Sequence, residues 1–132
     1  MKGPFLVDLK GKTAAVTGGG GILCSCMAKA LADAGARVAL LDLRKDAAEK
    51  AAAEIRKGGG NAIGVACNVL EMPSLQAANA EIEKALGPID ILINGAGGNH
   101  PKGTTSMERL NPDDLLKKTE GVTTFYDLDP KG

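Results

Sequence analysis

The sequence predicts an α/β fold with a parallel sheet covered by helices on both faces. Two observations carry this. Short apolar runs alternate with stretches of helical spacing in the order β-α-β-α-β-α-β, and glycine or proline punctuates the joins. The runs are also continuously apolar instead of alternating with polar residues, as suits strands buried on both faces. Strict alternation of strand and helix implies parallel strands joined by right-handed crossovers.

Each element follows in order. Thr13–Val16 (TAAV) is a short apolar run ending at Thr17-Gly18, and reads as a buried strand. Ile22–Ala34 carries large apolar groups at Leu23, Met27 and Leu31, four apart, with Gly35 beyond; this spacing predicts a helix with a glycine stop. Arg37–Leu41 (RVALL) is a second strand, closed by Asp42. Lys45–Lys57 is alanine-rich with alternating charges, so it reads as a helix with a solvated face around Glu49, Lys50, Glu54 and Arg56; Gly58-Gly59-Gly60 ends it. Ala62–Ala66 (AIGVA) is a third strand. A helix opening at Ser74 after Pro73 has its apolar positions at Leu75, Ala78, Ile82 and Leu86, and Gly87-Pro88 stops it. Ile89–Ile93 (IDILI) is a fourth strand, followed by Asn94-Gly95-Ala96-Gly97-Gly98. Beyond Gly98 the pattern weakens: Asn111–Asp114 looks like a helix start backed by Leu115 and Leu116, and the end of the chain has no clear period.

Composition removes several function classes. The chain has 132 residues, enough for one domain with a real core. Sixteen basic and sixteen acidic residues cancel, so no basic surplus points to nucleic acid or an anionic membrane. Aromatic residues make up 2%, too few for a base-stacking platform. No apolar run approaches the length of a spanning helix, and MKGPFLVDLKGK lacks the apolar core of a signal peptide. Three cysteines without a secretory signal fit reduced thiols and a cytoplasmic location.

The chemistry concentrates where the first strand meets the first helix. TGGGGILC (Thr17–Cys24) would place backbone N–H groups at a helix N-terminus, where they lack intrahelical partners and the dipole is positive. That makes an anion cradle, with a plain β–α turn as the alternative. Asp42 ends the second strand about twenty residues later, where a carboxylate can accept both hydroxyls of an adenosine ribose. It would also repel a 2′-phosphate and so favour NAD over NADP, although Arg44 nearby could tolerate one. A turn or helix-cap role is the alternative for Asp42. Gly11-Lys12-Thr13 imitates the end of a P-loop, but the required earlier glycine is Leu6 and the run precedes the strand. Cys24 and Cys26, two apart on a helix, point to nearly opposite sides, which opposes a metal site; Cys67 reads as core. His100, in the loop after the fourth strand, reads as a solvated residue near a site mouth, and Glu108 and Arg109 as exposed charges.

LKGKTAAVTG (Leu9–Gly18), Asp42, CNV (Cys67–Val69) and DILINGAG (Asp90–Gly97) stand in the order and spacing of one known pattern. The chain resembles the short-chain dehydrogenase/reductase family from Leu9 to at least Gly98. The resemblance implies a Rossmann-type three-layer fold of strand order 3-2-1-4, with later strands missing. It implies that Thr17 to Leu23, with Gly18, Gly20, Gly21, Ile22 and Leu23, wrap the pyrophosphate of a nicotinamide dinucleotide. Asp42 and Arg44 would meet the adenosine ribose, and Asn68 and Val69 would line the adenine pocket. Asn94, Ala96 and Gly97 would steady the sheet and pass the nicotinamide-side ribose. Two departures stand out. The usual second and third motif glycines fall at Ile22 and Cys24, with Gly19–Gly21 supplying the freedom instead, and Gly95 replaces the second asparagine of Asn-Asn-Ala-Gly. TGGGGILC, NGAGGNHPKGTT and TTFYDLDPKG look like the D-mannonate oxidoreductase (fructuronate reductase) subgroup, which implies a sugar-acid substrate.

The family's chemistry needs a serine and a Tyr-x-x-x-Lys pair, in which the lysine lowers the tyrosine pKa. The sole tyrosine is Tyr126; Pro130 stands four residues on, and Lys131 is one too far. No catalytic residue is therefore assigned, and the chain is expected to be the cofactor half of a dehydrogenase, inactive alone. Residues 1–132 are expected to form one truncated domain, with 1–98 as its core and 99–132 irregular. The fourth strand, central in a complete sheet, would be an edge here, which predicts self-association. A noncatalytic nucleotide-binding or interaction module is the competing reading. A methyltransferase-type fold is a third, opposed by LKGKTAAVTG and NGAG.

Overall fold

A computed structural model describes residues 7–98, 105–106, 112–113, 120–124 and 127. The chain divides into two compact units, Met1–Ala96 and Gly97–Gly132. His100, Glu108, Arg109, Asn111, Asp114 to Leu116, Tyr126, Pro130 and Lys131 lie outside the described residues.

The first unit contains β1 (Thr13–Thr17), α1 (Ile22–Asp33), β2 (Arg37–Asp42), α2 (Lys45–Lys57), β3 (Asn61–Ala66), α3 (Met72–Leu86) and β4 (Ile91–Ile93). The four strands form one sheet of order β3-β2-β1-β4, and all three pairings are parallel. Ala15 aligns with Ala39 on one side and Leu92 on the other, so β1 is an interior strand. This is the Rossmann-type α/β arrangement that the sequence predicts.

Helix ends follow local chemistry. Gly35, at φ +99°, takes the left-handed position that stops α1, and the Ala36 N–H closes back on Leu31 O at 3.0 Å. Gly60 N–H closes α2 on Ile55 O at 3.1 Å. α3 begins at Met72, earlier than Ser74, because Pro73 is tolerated in the first turn, where an N–H would have no partner anyway. β4 begins at Ile91 instead of Ile89, since Asp90 turns its side chain to the sheet end: Thr13 N–H donates to Asp90 Oδ2 at 2.9 Å and Lys12 Nζ to Oδ1 at 2.8 Å.

Strand alternation splits the core in two. Val16, Val38 and Leu40 face α1 and α2, meeting Ala28, Ala48, Ala52 and Ile55. Ala15, Ala39, Leu41 and Val65 face the other way, against Ala78, Ile82 and Leu86 of α3. Ile82 is fully buried, which contributes about 1.5–3 kcal/mol for a side chain of its size. The buried hydroxyl of Thr13 is satisfied by donating to Leu86 O at 3.0 Å.

Two expectations are corrected. Leu23 and Met27 do not form the inner face of α1; they are 74% and 46% exposed, while Cys24, Ala28 and Ala32 are buried. Leu31, the third of the large residues, does pack partly buried against this core, and the small residues repeat every four positions as regularly as the large ones. The charged face of α2 is also not wholly solvated. Glu49 accepts Arg56 Nη2 at 2.5 Å and the Gly64 N–H at 3.2 Å, and Arg56 Nη1 donates to Ala62 O at 2.8 Å, so the pair ties α2 to β3. Gly64 permits this approach, because a Cβ there would overlap the Glu49 backbone.

In the second unit, Ser106 N–H donates to Thr123 O at 3.1 Å and Thr123 N–H returns to Ser106 Oγ at 2.8 Å. Pro112 and Asp113 are helical.

Candidate functional site

The carboxyl ends of β1, β2, β3 and β4 converge on one edge of the sheet. The connection after β1 leads to a helix on one face, and the connection after β3 to a helix on the other. In parallel α/β sheets the crevice outside the strand ends at such a reversal is where ligands settle.

The glycine loop occupies the β1 side. Gly18 turns at φ +68°, and a Cβ on it would come within 2.8 Å of Gly95 O. Gly19 runs against β2: its N–H donates to Leu41 O at 2.9 Å, and a Cβ there would meet Leu40 Cβ at 2.7 Å. Gly20 is pressed against Ala47 and Asp42, and its N–H donates to Asp42 Oδ2 at 3.0 Å. Gly21 caps α1 with no side-chain hydrogen bond, so the first-turn N–H groups lack a side-chain partner. Ile22 and Leu23 follow, both largely exposed. Four glycines thus thread a loop between β2, α2 and the segment after β4, leaving an open helix N-terminus. Those N–H groups and the dipole suit an anion.

Asp42 stands at the end of β2. Its Oδ2 takes the Gly20 N–H and its Oδ1 takes the Arg44 N–H at 3.0 Å. An ionised carboxylate has about four lone-pair sites, so two remain for hydroxyl donors. Arg44 is exposed at the head of α2. A groove of about 540 Å³ between α1 and α2 shares Gly20 and Arg44 with this loop, but its other walls, Lys29, Lys50 and Ala51 among them, lie along the helices and away from the strand ends.

Asn68 and Val69 follow β3. The Asn68 side chain is occupied locally: its Nδ2 donates to Glu71 Oε1 at 2.9 Å, and its Oδ1 accepts the Leu70 N–H at 3.1 Å. Asn68 N–H donates to Ser74 Oγ at 2.9 Å, which fastens the loop to α3. Val69, Leu70 and Leu43 remain open to solvent on this edge.

On the β4 side, Asn94 and Ala96 are exposed. Gly97 opens the second unit, and a Cβ on it would meet nothing within 4 Å. This segment meets β1 through its backbone. Gly95 N–H and Ala96 N–H both donate to Thr17 Oγ1 at 3.1 Å, and Thr17 Oγ1 donates to Ile93 O at 3.5 Å. Thr17, 5% exposed, is therefore a residue that the motif reading undervalued; its signal was a polar side chain ending an apolar strand. Cys24 is the other: it is buried, and its thiol donates to Gly95 O at 3.7 Å.

At the opposite end of the sheet, the Lys12 hydrogen bond, then the Thr13 N–H, hold Asp90 below the ordinary carboxylate range. The Arg56 hydrogen bond, followed by the Gly64 N–H, lowers Glu49 against the opposing effect of burial.

Comparison with known proteins agrees with this geometry. A family model described as short chain dehydrogenase matches residues 12–121. An uncharacterized oxidoreductase of Haemophilus influenzae is 47% identical over 125 residues, covering 95% of this chain and 42% of the relative. An uncharacterized oxidoreductase of Bacillus subtilis, UxuB, is 42% identical over 129 residues, covering 98% of this chain and 44% of that protein. A crystal structure from Haemophilus influenzae, provisionally assigned as a D-mannonate oxidoreductase and solved with bound NAD, superposes with a TM-score of 0.74 at 45% identity, covering 96% of this chain and 44% of the other. A hydroxysteroid dehydrogenase from Escherichia coli gives a TM-score of 0.69 at 32% identity, over 84% of this chain and 46% of the other. The chain spans less than half the length of these relatives. With its glycine loop, its sheet order and a match over most of its length, the chain belongs to the short-chain dehydrogenase family.

Proposed function

We propose that the first unit is the NAD-binding part of a short-chain oxidoreductase acting on a sugar-acid alcohol or ketone of the D-mannonate/D-fructuronate kind. The observation that carries the cofactor reading is the Asp42–Gly20 hydrogen bond beside the uncapped N-terminus of α1. It joins a carboxylate suited to ribose hydroxyls and a backbone cradle suited to a pyrophosphate in one rigid corner.

In this reading the N–H groups of Ile22 and Leu23 receive the pyrophosphate, while Gly18, Gly20 and Gly21 shape the turn beneath it, their own backbone held by Asp42 and by the Gly21 N–H to Gly18 O bond. Asp42 accepts the adenosine ribose hydroxyls and disfavours a 2′-phosphate, so NAD is preferred to NADP; the exposed Arg44 moderates that preference. Val69 and the loop held by Asn68 flank the adenine. Asn94 and Ala96 border the nicotinamide-side ribose. The bound cofactor supplies or accepts a hydride at its nicotinamide ring. The similarity to a Haemophilus structure assigned to D-mannonate supports the substrate class.

These residues bind and orient; no Tyr-x-x-x-Lys stands among the 132 residues to move the substrate proton, so the chain alone is read as binding without turnover. That same observation favours a second reading, a noncatalytic dinucleotide-binding module. Among the described residues no helix is long and apolar enough to cross a membrane. Balanced charge argues against nucleic-acid partners, and three free cysteines fit a reducing, cytoplasmic setting. Among the described residues β4 pairs with β1 alone, and that open edge supports a homo-oligomer.

Calorimetry of the chain with NADH, NADPH and S-adenosylmethionine tests the reading. NADH is expected to bind tightest. Preference for S-adenosylmethionine, or no dinucleotide binding, would overturn it, and reduction of fructuronate by this chain unaided would overturn the assignment of binding without turnover.

A further inference from the structure

We propose that Cys24 and Gly95 form a single positioning lock that sets the gap between the glycine loop and the segment after β4, and through it the affinity for dinucleotide. The inference rests on the cofactor reading above.

Cys24 and Gly95 are in contact across the corner between the glycine loop and the segment after β4. A Cβ built on Gly95 would overlap Cys24 Sγ, so the thiol occupies the space that a side chain at 95 would need. Cys24 lies in the first turn of α1, is 8% exposed, and donates to Gly95 O at 3.7 Å. The segment is confined elsewhere too. A Cβ on Gly95 would meet Thr17 O at 2.9 Å, and Gly18 leaves no room for a Cβ beneath Gly95 O. The Cys24 thiol thus fills the slot between the loop and the helix. A side chain at 95 against Cys24 would drive the segment off Thr17, and glycine at 24 against Gly95 would leave a void. Because the slot lies between the pyrophosphate loop and the segment bordering the nicotinamide-side ribose, its width fixes the span offered to the cofactor. Cys24 and Gly95 act through that spacing and make no chemical contribution.

The test is a double-mutant cycle on the full chain: Cys24→Gly, Gly95→Ala, and both together, with Cys24→Ser as the conservative variant. NADH dissociation constants are read at a temperature where circular dichroism shows every variant folded, alongside melting temperatures. Gly95→Ala is expected to weaken NADH binding about tenfold, the scale of an overpacked core site. Cys24→Ser is expected to bind like the wild type. The double variant is expected to regain most of the loss, with the 2.9 Å approach to Thr17 O accounting for the remainder. Additive effects, wild-type affinity in Gly95→Ala, or damage from Cys24→Ser equal to that from Gly95→Ala would overturn the lock. If the wild type binds no dinucleotide, the cofactor reading fails by itself, and additive melting-temperature shifts in the same cycle would then overturn the lock as well.

Discussion

Asp42 Oδ2 accepts the Gly20 backbone N–H at 3.0 Å, so the carboxylate that ends β2 also holds the glycine loop in shape. Substitution removes two things together. Asp42→Ala is expected to weaken NADH binding by about one to two orders of magnitude, since hydrogen bonds to a charged group contribute about 1.5–3 kcal/mol each. The ratio of NADPH to NADH affinity should rise, because the negative charge is gone while Arg44 remains. Calorimetry with both cofactors reads this directly. An unchanged ratio would remove Asp42 from cofactor discrimination.

Thr17 Oγ1 serves two donors, Gly95 N–H and Ala96 N–H. Thr17→Val preserves shape and leaves both without that acceptor, at a cost of about 0.5–1.5 kcal/mol for each part-buried hydrogen bond lost. Thr17→Ser should restore most of it. Urea denaturation, with the midpoint compared at constant slope, checks the order wild type, Ser, Val.

Acid stability should depend on Asp90. Lys12 and then the Thr13 N–H hold its carboxyl below the ordinary carboxylate range in the folded chain. A depressed folded pKa means the unfolded chain binds the proton more readily. The stabilisation is therefore complete above the ordinary carboxylate range and is lost as the pH falls through the folded value. Asp90→Asn should lower the melting temperature at neutral pH and flatten its decline in acid. Parallel melting curves for the two proteins across the acid range would exclude this.

Among the described residues β4 pairs with β1 alone, and Leu92 is 58% exposed. Pairing between copies through this edge predicts concentration-dependent sedimentation, which Leu92→Lys should suppress, as charged edge residues do. A wild-type chain that sediments as a monomer at every concentration would rule the contact out.

Most of the fold was legible because its signals are local. The apolar runs, the glycine stops at Gly35 and Gly87, and the charged repeat of α2 each show within a few residues. The inner face of α1 was not, because Leu23 and Met27 on one side and Cys24, Ala28 and Ala32 on the other share the same four-residue spacing. Size usually marks the buried face; here the small residues are the buried ones, and of the large residues only Leu31 packs against the core. Within the site, Asp42 and the glycines were legible by position. The importance of Thr17 was not, since its partners lie 78 and 79 residues away. The Glu49–Arg56 link to β3 escaped for a similar reason: a charged helix face shows nothing of the strand beneath it.

The sheet order also dictates a sequence of events during synthesis. β1 receives β2 early, but its other neighbour, β4, begins at Ile91. A chain emerging from the ribosome N-terminus first therefore carries β1 as a temporary edge while α2, β3 and α3 are made. The hydroxyl of Thr17 waits through that interval for its two amide donors. The corner that the glycine loop builds is completed last, when residues 91–96 close over the first strand.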